Sequence, residues 1–330
     1  MRKIYVIIIM IALVSACAYS DVQMNQFESA FKDFASDMAG SLDVNSTIGA
    51  NWSDAYVGNF PHFGLGLTAG ATTVSPSTSK DLFTSMGASV PSGINSIGIP
   101  IPATVATFKI GLPVLPMDLG FKLGFVPASV VKSMMGSSGS DFTYLNYGVQ
   151  LRYALVKQKG LLPNVSIGAA YDHVNGEVTV PTNLGSQTYT FSPSSYYITA
   201  SNPKMDVSWK SNTFDFTAQV SKKFFILVPY LGAGLTFGKS EVDGGVDSSI
   251  NTNYPGGVSA LKNYLNSLGY SVPDDMSNSG FSYTADETNP LFRLYGGMSF
   301  RLFVIDLDLQ GIYLLQSKSF GASLTGRFQI

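Results

Sequence analysis

The sequence predicts an all-β protein: a closed antiparallel transmembrane β-barrel, an up-and-down meander of about 10–12 strands and at most about 14, preceded by an N-terminal helix. Three observations predict it. Polar and apolar residues alternate with a period of two over long segments. Only 13% of the 330 residues are charged, whereas 45% are hydrophobic and 12% aromatic. Connections between the alternating segments are short and long by turns. A strand in a membrane barrel shows one face to lipid and the other to the lumen, and short turns at one end with long loops at the other are the outer-membrane arrangement.

Residues 1–20 read as an export signal. Arg2 and Lys3 form a positive start, residues 4–14 an apolar core, and Ala16-Cys17-Ala18-Tyr19-Ser20 a small-residue cleavage region. The core is too short for a membrane-spanning helix, which needs about 20 residues. Cleavage after Ala18 or Ser20 is expected. Val14-Ser15-Ala16-Cys17 also reads as a lipobox, with lipoprotein processing at Cys17 as the alternative. Both routes lead out of the cytoplasm. Cys17 is the only cysteine, so a disulfide framework is excluded. With 20 Lys+Arg against 22 Asp+Glu, the basic excess of a nucleic-acid binder is missing, and no nucleic-acid partner is expected.

Residues 21–58 are expected to form the N-terminal helix and a plug or periplasmic segment. Phe27, Phe31, Phe34 and Met38 recur at helical spacing, opposite Glu28, Lys32, Asp33 and Asp37. An apolar stripe of this kind needs a cover. Two placements supply one: inside the barrel as a plug, or beneath it, against the periplasmic rim.

Residues 59–330 carry the barrel. Strands are expected near 60–74, 103–113, 117–127, 141–157, 163–180, 204–221, 226–241, 286–302, 304–316 and 318–330, with a possible extra hairpin around 189–198. Long outer loops fall near 75–102, 128–140, 180–203 and 242–288. In 304–315, Ile305, Leu307, Leu309 and Tyr313 alternate with Asp306, Asp308 and Gln310. The same parity sends Arg152, Arg293, Arg301 and Arg327 into the lumen, with Lys109, Lys122, Asp118 and Asp215. A two-residue turn at Phe303-Val304 sets Arg301 opposite Asp306. A turn at Ser317-Lys318 sets Asp308 opposite Arg327. Each cross-strand charge pair is worth about 0.2–1 kcal/mol. The polar lumen reads as a packed structural network or as a substrate track.

Two outer loops share a pattern. Leu82-Phe83-Thr84-Ser85-Met86-Gly87-Ala88-Ser89-Val90-Pro91 is similar to Tyr264-Leu265-Asn266-Ser267-Leu268-Gly269-Tyr270-Ser271-Val272-Pro273. Each reads as a short apolar-faced helix stopped by glycine. Leu82, Phe83, Met86, Leu261, Tyr264, Leu265 and Leu268 are the candidate apolar cluster for a small hydrophobic ligand, or simply the packing that closes the barrel mouth.

Catalysis is not expected. The chain has two histidines, His62 and His173, and Asp172 and His173 are strand neighbours that point to opposite faces. No cofactor or metal is expected from so sparse a donor set. The chain ends Leu324-x-Gly326-x-Phe328-x-Ile330, similar to the terminal strand that the outer-membrane assembly machinery recognises. That machinery and outer-membrane lipid are therefore the expected partners.

The aromatic-rich N-terminal helix, the stretch Asn51-Trp52-Ser53-Asp54-Ala55-Tyr56 running into Phe63-Gly64-Leu65-Gly66, and the helical outer loops resemble spirochaetal outer-membrane barrels related to the long-chain fatty-acid transporter family. That resemblance implies an N-terminal hatch, a hydrophobic site among the outer loops, and passage of small or hydrophobic compounds. The competing expectation is a surface interaction protein whose long loops bind partners and whose barrel merely anchors them.

Overall fold

The computed structural model describes residues 21–50, 52, 55–58, 60–85, 90, 92–126, 141–181, 187–190, 195–268 and 280–330. The expected signal segment, Met86 and the loop 128–140 lie outside the described residues.

The protein is a closed antiparallel β-barrel. Its strands are β1 (Phe63–Thr73), β2 (Pro100–Gly111), β3 (Met117–Phe125), β4 (Asp141–Val156), β5 (Asn164–Pro181), β6 (Gln187–Thr190), β7 (Tyr197–Ser221), β8 (Leu227–Thr252), β9 (Gly280–Glu287), β10 (Leu291–Leu302), β11 (Ile305–Leu314) and β12 (Phe320–Gln329). Ten of these, all but β6 and β9, close the wall, with β12 pairing back onto β1 and β7 onto β8. The two short strands add only to the outer ends of β7 and β8.

Alternation explains the wall. Along β11, Ile305, Leu307 and Leu309 are exposed outward, while Asp306, Asp308 and Gln310 are buried inward. The run from Ile305 to Leu315, tilted by about 40°, rises roughly 25 Å, the height of the apolar band of outer-membrane barrels. Exposed Phe121, Leu151, Phe216, Leu231 and Leu324 continue that band around the cylinder.

β7 and β8 are longer than the sequence predicts, at 25 and 26 residues. At about 3.3 Å per residue each spans roughly 80 Å, far beyond the ~9–11 residues a membrane strand requires. Above Phe214 and Phe237 the outward row becomes Asn212, Lys210, Lys239 and Glu241. The hairpin therefore leaves the lipid and stands above it. The segments expected as loops near 180–203 and 242–288 contain these strand extensions, β6, β9 and a helix. Four helices are described: α1 (Asp21–Ser46), α2 (Pro76–Ser85), α3 (Ser92–Ile97) and α4 (Gly257–Ser267).

α1 has 26 residues and is about 39 Å long. Its outer half packs beside the extended parts of β8 and β9 and against α2. Its inner half enters the cylinder. Phe31, Ala35, Met38 and Leu42 share one apolar cluster with Val74, Leu82 and Phe83 at the outer mouth. Phe34 packs against that cluster, and the side chain of Phe27 lies outside the described residues. The stripe is thus covered by the barrel's own outer mouth, not by the periplasmic rim. The chain continues down the lumen through buried Trp52, Ala55 and Val57 and joins β1 at the periplasmic end, where Phe63 pairs with Ile330.

Of the two hairpin registers that the sequence predicts, one needs correction. Leu302 pairs with Ile305 and Arg301 with Asp306, as the Phe303-Val304 turn requires. In the next hairpin Tyr313 pairs with Phe320, so Arg327 faces Asp306, and Asp308 faces Thr325. The connection occupies 315–319, longer than a two-residue turn at Ser317-Lys318. It slides the register by two, which preserves the face of every residue but changes its partner.

Candidate functional site

The lumen is the site, and the N-terminal segment fills it. The lower turns of α1 carry short polar residues, Ser41, Asp43, Asn45 and Ser46, all 0% exposed. Such residues are weak helix formers, and here each finds a partner on the wall. Ser41 Oγ donates to Thr73 O at 2.9 Å, and Asn45 Nδ2 to Ile101 O at 2.8 Å. Tyr144 Oη donates to Asn45 Oδ1 at 3.2 Å. Asp43 Oδ1 accepts from Ser211 at 2.6 Å and from Ser240. Ser46 and Thr213 hydroxyls meet at 2.9 Å.

Two wall lysines hold the segment where the helix ends. Lys122 Nζ donates to Ser46 O, the carbonyl at the helix C-terminus, where a cation is favoured. It also pairs with Asp172 at 2.7 Å. Lys109 Nζ donates to Ala50 O and to Gln150 Oε1, both at 2.8 Å. Below them Trp52 lies between Lys109 and Arg327, whose charges stand 4.8 and 5.2 Å from its ring. Trp52 Nε1 donates to Thr107 at 3.2 Å, and its carbonyl accepts from Gln219 at 3.0 Å. Ser221 accepts from Ala55 N at 2.9 Å, and Arg152 donates to Tyr56 O at 3.1 Å.

Glycine makes room for this thread at particular points. A methyl added at Gly64 would come within 2.3 Å of the Trp52 ring, and one at Gly244 within 2.2 Å of Phe31. The fit is close: between Gly49, Ala50 and the wall lies a cavity of about 10 Å³, room for about one water. At the periplasmic mouth the lumen widens into a vestibule of about 560 Å³, lined in part by Tyr56, His62, Lys157, Lys223 and Arg301.

The predicted lumen charges all point inward, as members of buried pairs or hydrogen-bonded groups. Arg293 grips Asp215 bidentately, at 2.5 and 2.7 Å, and donates to Thr236 at 2.7 Å. Arg152 pairs with Asp118. Asp306 stands between Arg301 at 2.8 Å and Arg327 at 3.4 Å. Asp308 accepts from Ser299 at 3.2 Å. Asp172 and His173 do face opposite ways: Asp172 meets Lys122, and His173 meets Asn212 at 2.8 Å beside Tyr147.

The candidate loop cluster divides. Leu82 and Phe83 are buried against α1. Leu261 and Leu265 are buried on α4, which packs on β8. Tyr264 stacks on Tyr254 at 5.3 Å and meets Tyr196 at 6.1 Å, and Leu268 is exposed. Sequence reasoning misses the polar lock from Ser41 to Thr47 and the place of Trp52. Its available signal is a run of short polar residues directly after an apolar stripe, facing strands whose inward positions are often glycine.

No protein-family model matches the chain, and no curated protein matches it. Among solved structures it is similar to the outer membrane protease OmpT from Escherichia coli, with 7% identity and a TM-score of 0.38, covering 82% of this chain and 94% of that one. The translocator domain of autotransporter NalP from Neisseria meningitidis follows with 10% identity and a TM-score of 0.33, covering 95% and 99%. A deletion mutant of the TodX monoaromatic hydrocarbon channel gives 7% identity and 0.26, covering 83% and 91%.

Proposed function

We propose that this outer-membrane barrel passes small or hydrophobic compounds through its lumen, and that residues 21–58 act as its gate. One observation carries the reading: the thread that fills the lumen is held there mainly by hydrogen bonds and charges. Contacts such as Asp43 with Ser211, or Lys109 with Ala50 O, can exchange for water one at a time, each hydrogen bond to a charged group contributing about 1.5–3 kcal/mol. Apolar locking is concentrated at the outer mouth, around Phe31, Leu82 and Phe83. A hydrophobic solute arriving there competes with the contacts that keep the gate seated. The barrel itself does no chemistry on its cargo.

Planar-bilayer conductance and liposome uptake of a hydrophobic dye test this. Deleting residues 21–50 should raise both well above the full-length values. A Ser46→Cys/Thr213→Cys pair, placed where the hydroxyls meet at 2.9 Å, should suppress dye uptake when oxidised and restore it on reduction. Uptake indifferent to both changes contradicts a gating role.

A second reading rests on the projecting β7–β8 hairpin with its tyrosine group Tyr196, Tyr254 and Tyr264. Such a surface suits adhesion to a partner outside the cell, with the barrel as anchor. Retained partner binding without conductance or uptake would favour it.

A further inference from the structure

Short turns at the periplasmic end occupy 112–116, 157–163, 222–226 and 303–304. Each lifts a bulky apolar side chain into the open: Val114 is 100% exposed, Leu161 92%, Phe225 95% and Phe303 99%. Three of these residues hold positive φ angles, 77° at Val114 and 57° at Phe225 and Phe303. Side chains with a Cβ resist that region, and glycine is its ordinary occupant. Glycine would relieve the strain and remove the exposed apolar group, so self-packing does not account for Val or Phe there.

The turns stand at the foot of the lipid-facing band. Exposed Leu302 and Ile305 flank Phe303 and Val304, and the apolar surface runs unbroken from the wall onto the tips. The charges on these turns have one sign. Lys157, Lys159, Lys222 and Lys223 lie on two turns that are tied together. Gln158 Nε2 donates to Lys223 O at 3.1 Å, Lys223 N to Gln158 Oε1 at 2.8 Å, and Lys222 Nζ to Leu161 O at 2.7 Å. The four turn sequences contain no Asp or Glu. Asp118 and Asp306, which stand nearby in the strands, are buried in ion pairs that face the lumen. Exposed acids such as Asp81, Asp141, Glu177 and Asp286 lie at the opposite end.

Apolar tips continuous with the lipid band, beside lysines at headgroup depth, suit one occupant. Acyl and glycerol groups take the apolar tips, and phosphates take the ammonium groups, each lysine adding about fivefold in affinity. We propose that the linked turns 157–163 and 222–226 bind the headgroups of anionic phospholipids in the inner leaflet, with Val114, Leu161, Phe225 and Phe303 seated in the interface. Lys157 and Lys223 also border the periplasmic vestibule, so this surface adjoins the lumen mouth, and it serves either reading of the protein's function.

The test uses the full chain in nanodiscs of phosphatidylcholine with a minor share of phosphatidylglycerol, followed by native mass spectrometry of retained lipid. Replacing Lys157, Lys159, Lys222 and Lys223 together by Gln should cut retained phosphatidylglycerol at least fivefold and leave phosphatidylcholine unchanged. Phe225→Gly with Phe303→Gly should lower retention of both lipids while folding in detergent is intact, because glycine suits those angles. A photoreactive phenylalanine analogue at Phe225 should label phospholipid in cells. Equal phosphatidylglycerol retention by the lysine variant overturns the proposal, as does labelling at Phe225 that goes to a periplasmic protein or a second copy.

Discussion

Arg293 shows what a lumen side chain does here. It is 1% exposed, and its guanidinium is satisfied by Asp215 and Thr236 together. Removing one charge of a buried pair leaves the other without compensation, at a cost of about 3–5 kcal/mol, whereas replacing both by apolar groups costs much less. Arg293→Met should therefore lower the urea midpoint strongly, and Arg293→Met with Asp215→Leu should recover most of the loss. Gly64 makes the complementary case. Gly64→Val would drive a side chain into the Trp52 ring, and the expected outcome is a displaced thread and higher bilayer conductance. Parity along each strand makes the inward direction of Arg152, Arg293, Arg301 and Arg327 legible in the sequence. It does not make partners legible: Arg327 meets Asp306 because the 315–319 connection is longer than the assumed turn.

Among the elements, strands immersed in lipid are read accurately because water on one side and hydrocarbon on the other impose the alternation. β10 and β11 fall within a few residues of expectation, and their register follows from the turn. The expected strands 204–221 and 226–241 already pass out of the lipid at Lys210, Lys239 and Glu241, and beyond them no apolar row marks β7 and β8, so 197–203 and 242–252 read as loops. The apolar stripe of α1 is visible at Phe31, Phe34 and Met38, but its polar end is not, since Asp43 to Thr47 looks like a linker until the wall hydroxyls opposite are known. The α1–α2 contact should be the stiffest part of the gate. Phe83 is 0% exposed there, and Phe83→Ala should cost about 3–5 kcal/mol in chemical denaturation. The turn at Phe303 should behave in the opposite sense: Phe303→Gly should stabilise the detergent-folded barrel by about 1 kcal/mol, since it removes a left-handed non-glycine residue.

At the scale of the molecule, the path of the N-terminal segment decides the architecture. An even number of wall strands puts the start of β1 and the C-terminus at the same, short-turn end. The N-terminal segment then runs through the whole cylinder, so the first turns of α1 lie at the outer face among β8, β9 and α2. Composition and alternation predict the cylinder; the threading depends on side chains far apart in sequence, such as Ser46 with Thr213 and Trp52 with Gln219, and no local pattern encodes it. Single cysteines at Ser29, on the exposed outer part of α1, and at Gly160, in a periplasmic turn, measure it directly. On intact cells a membrane-impermeant maleimide should label Ser29→Cys and spare Gly160→Cys until the outer membrane is permeabilised. Labelling of Ser29→Cys only after permeabilisation would contradict a segment threaded from the outer mouth to the periplasmic rim.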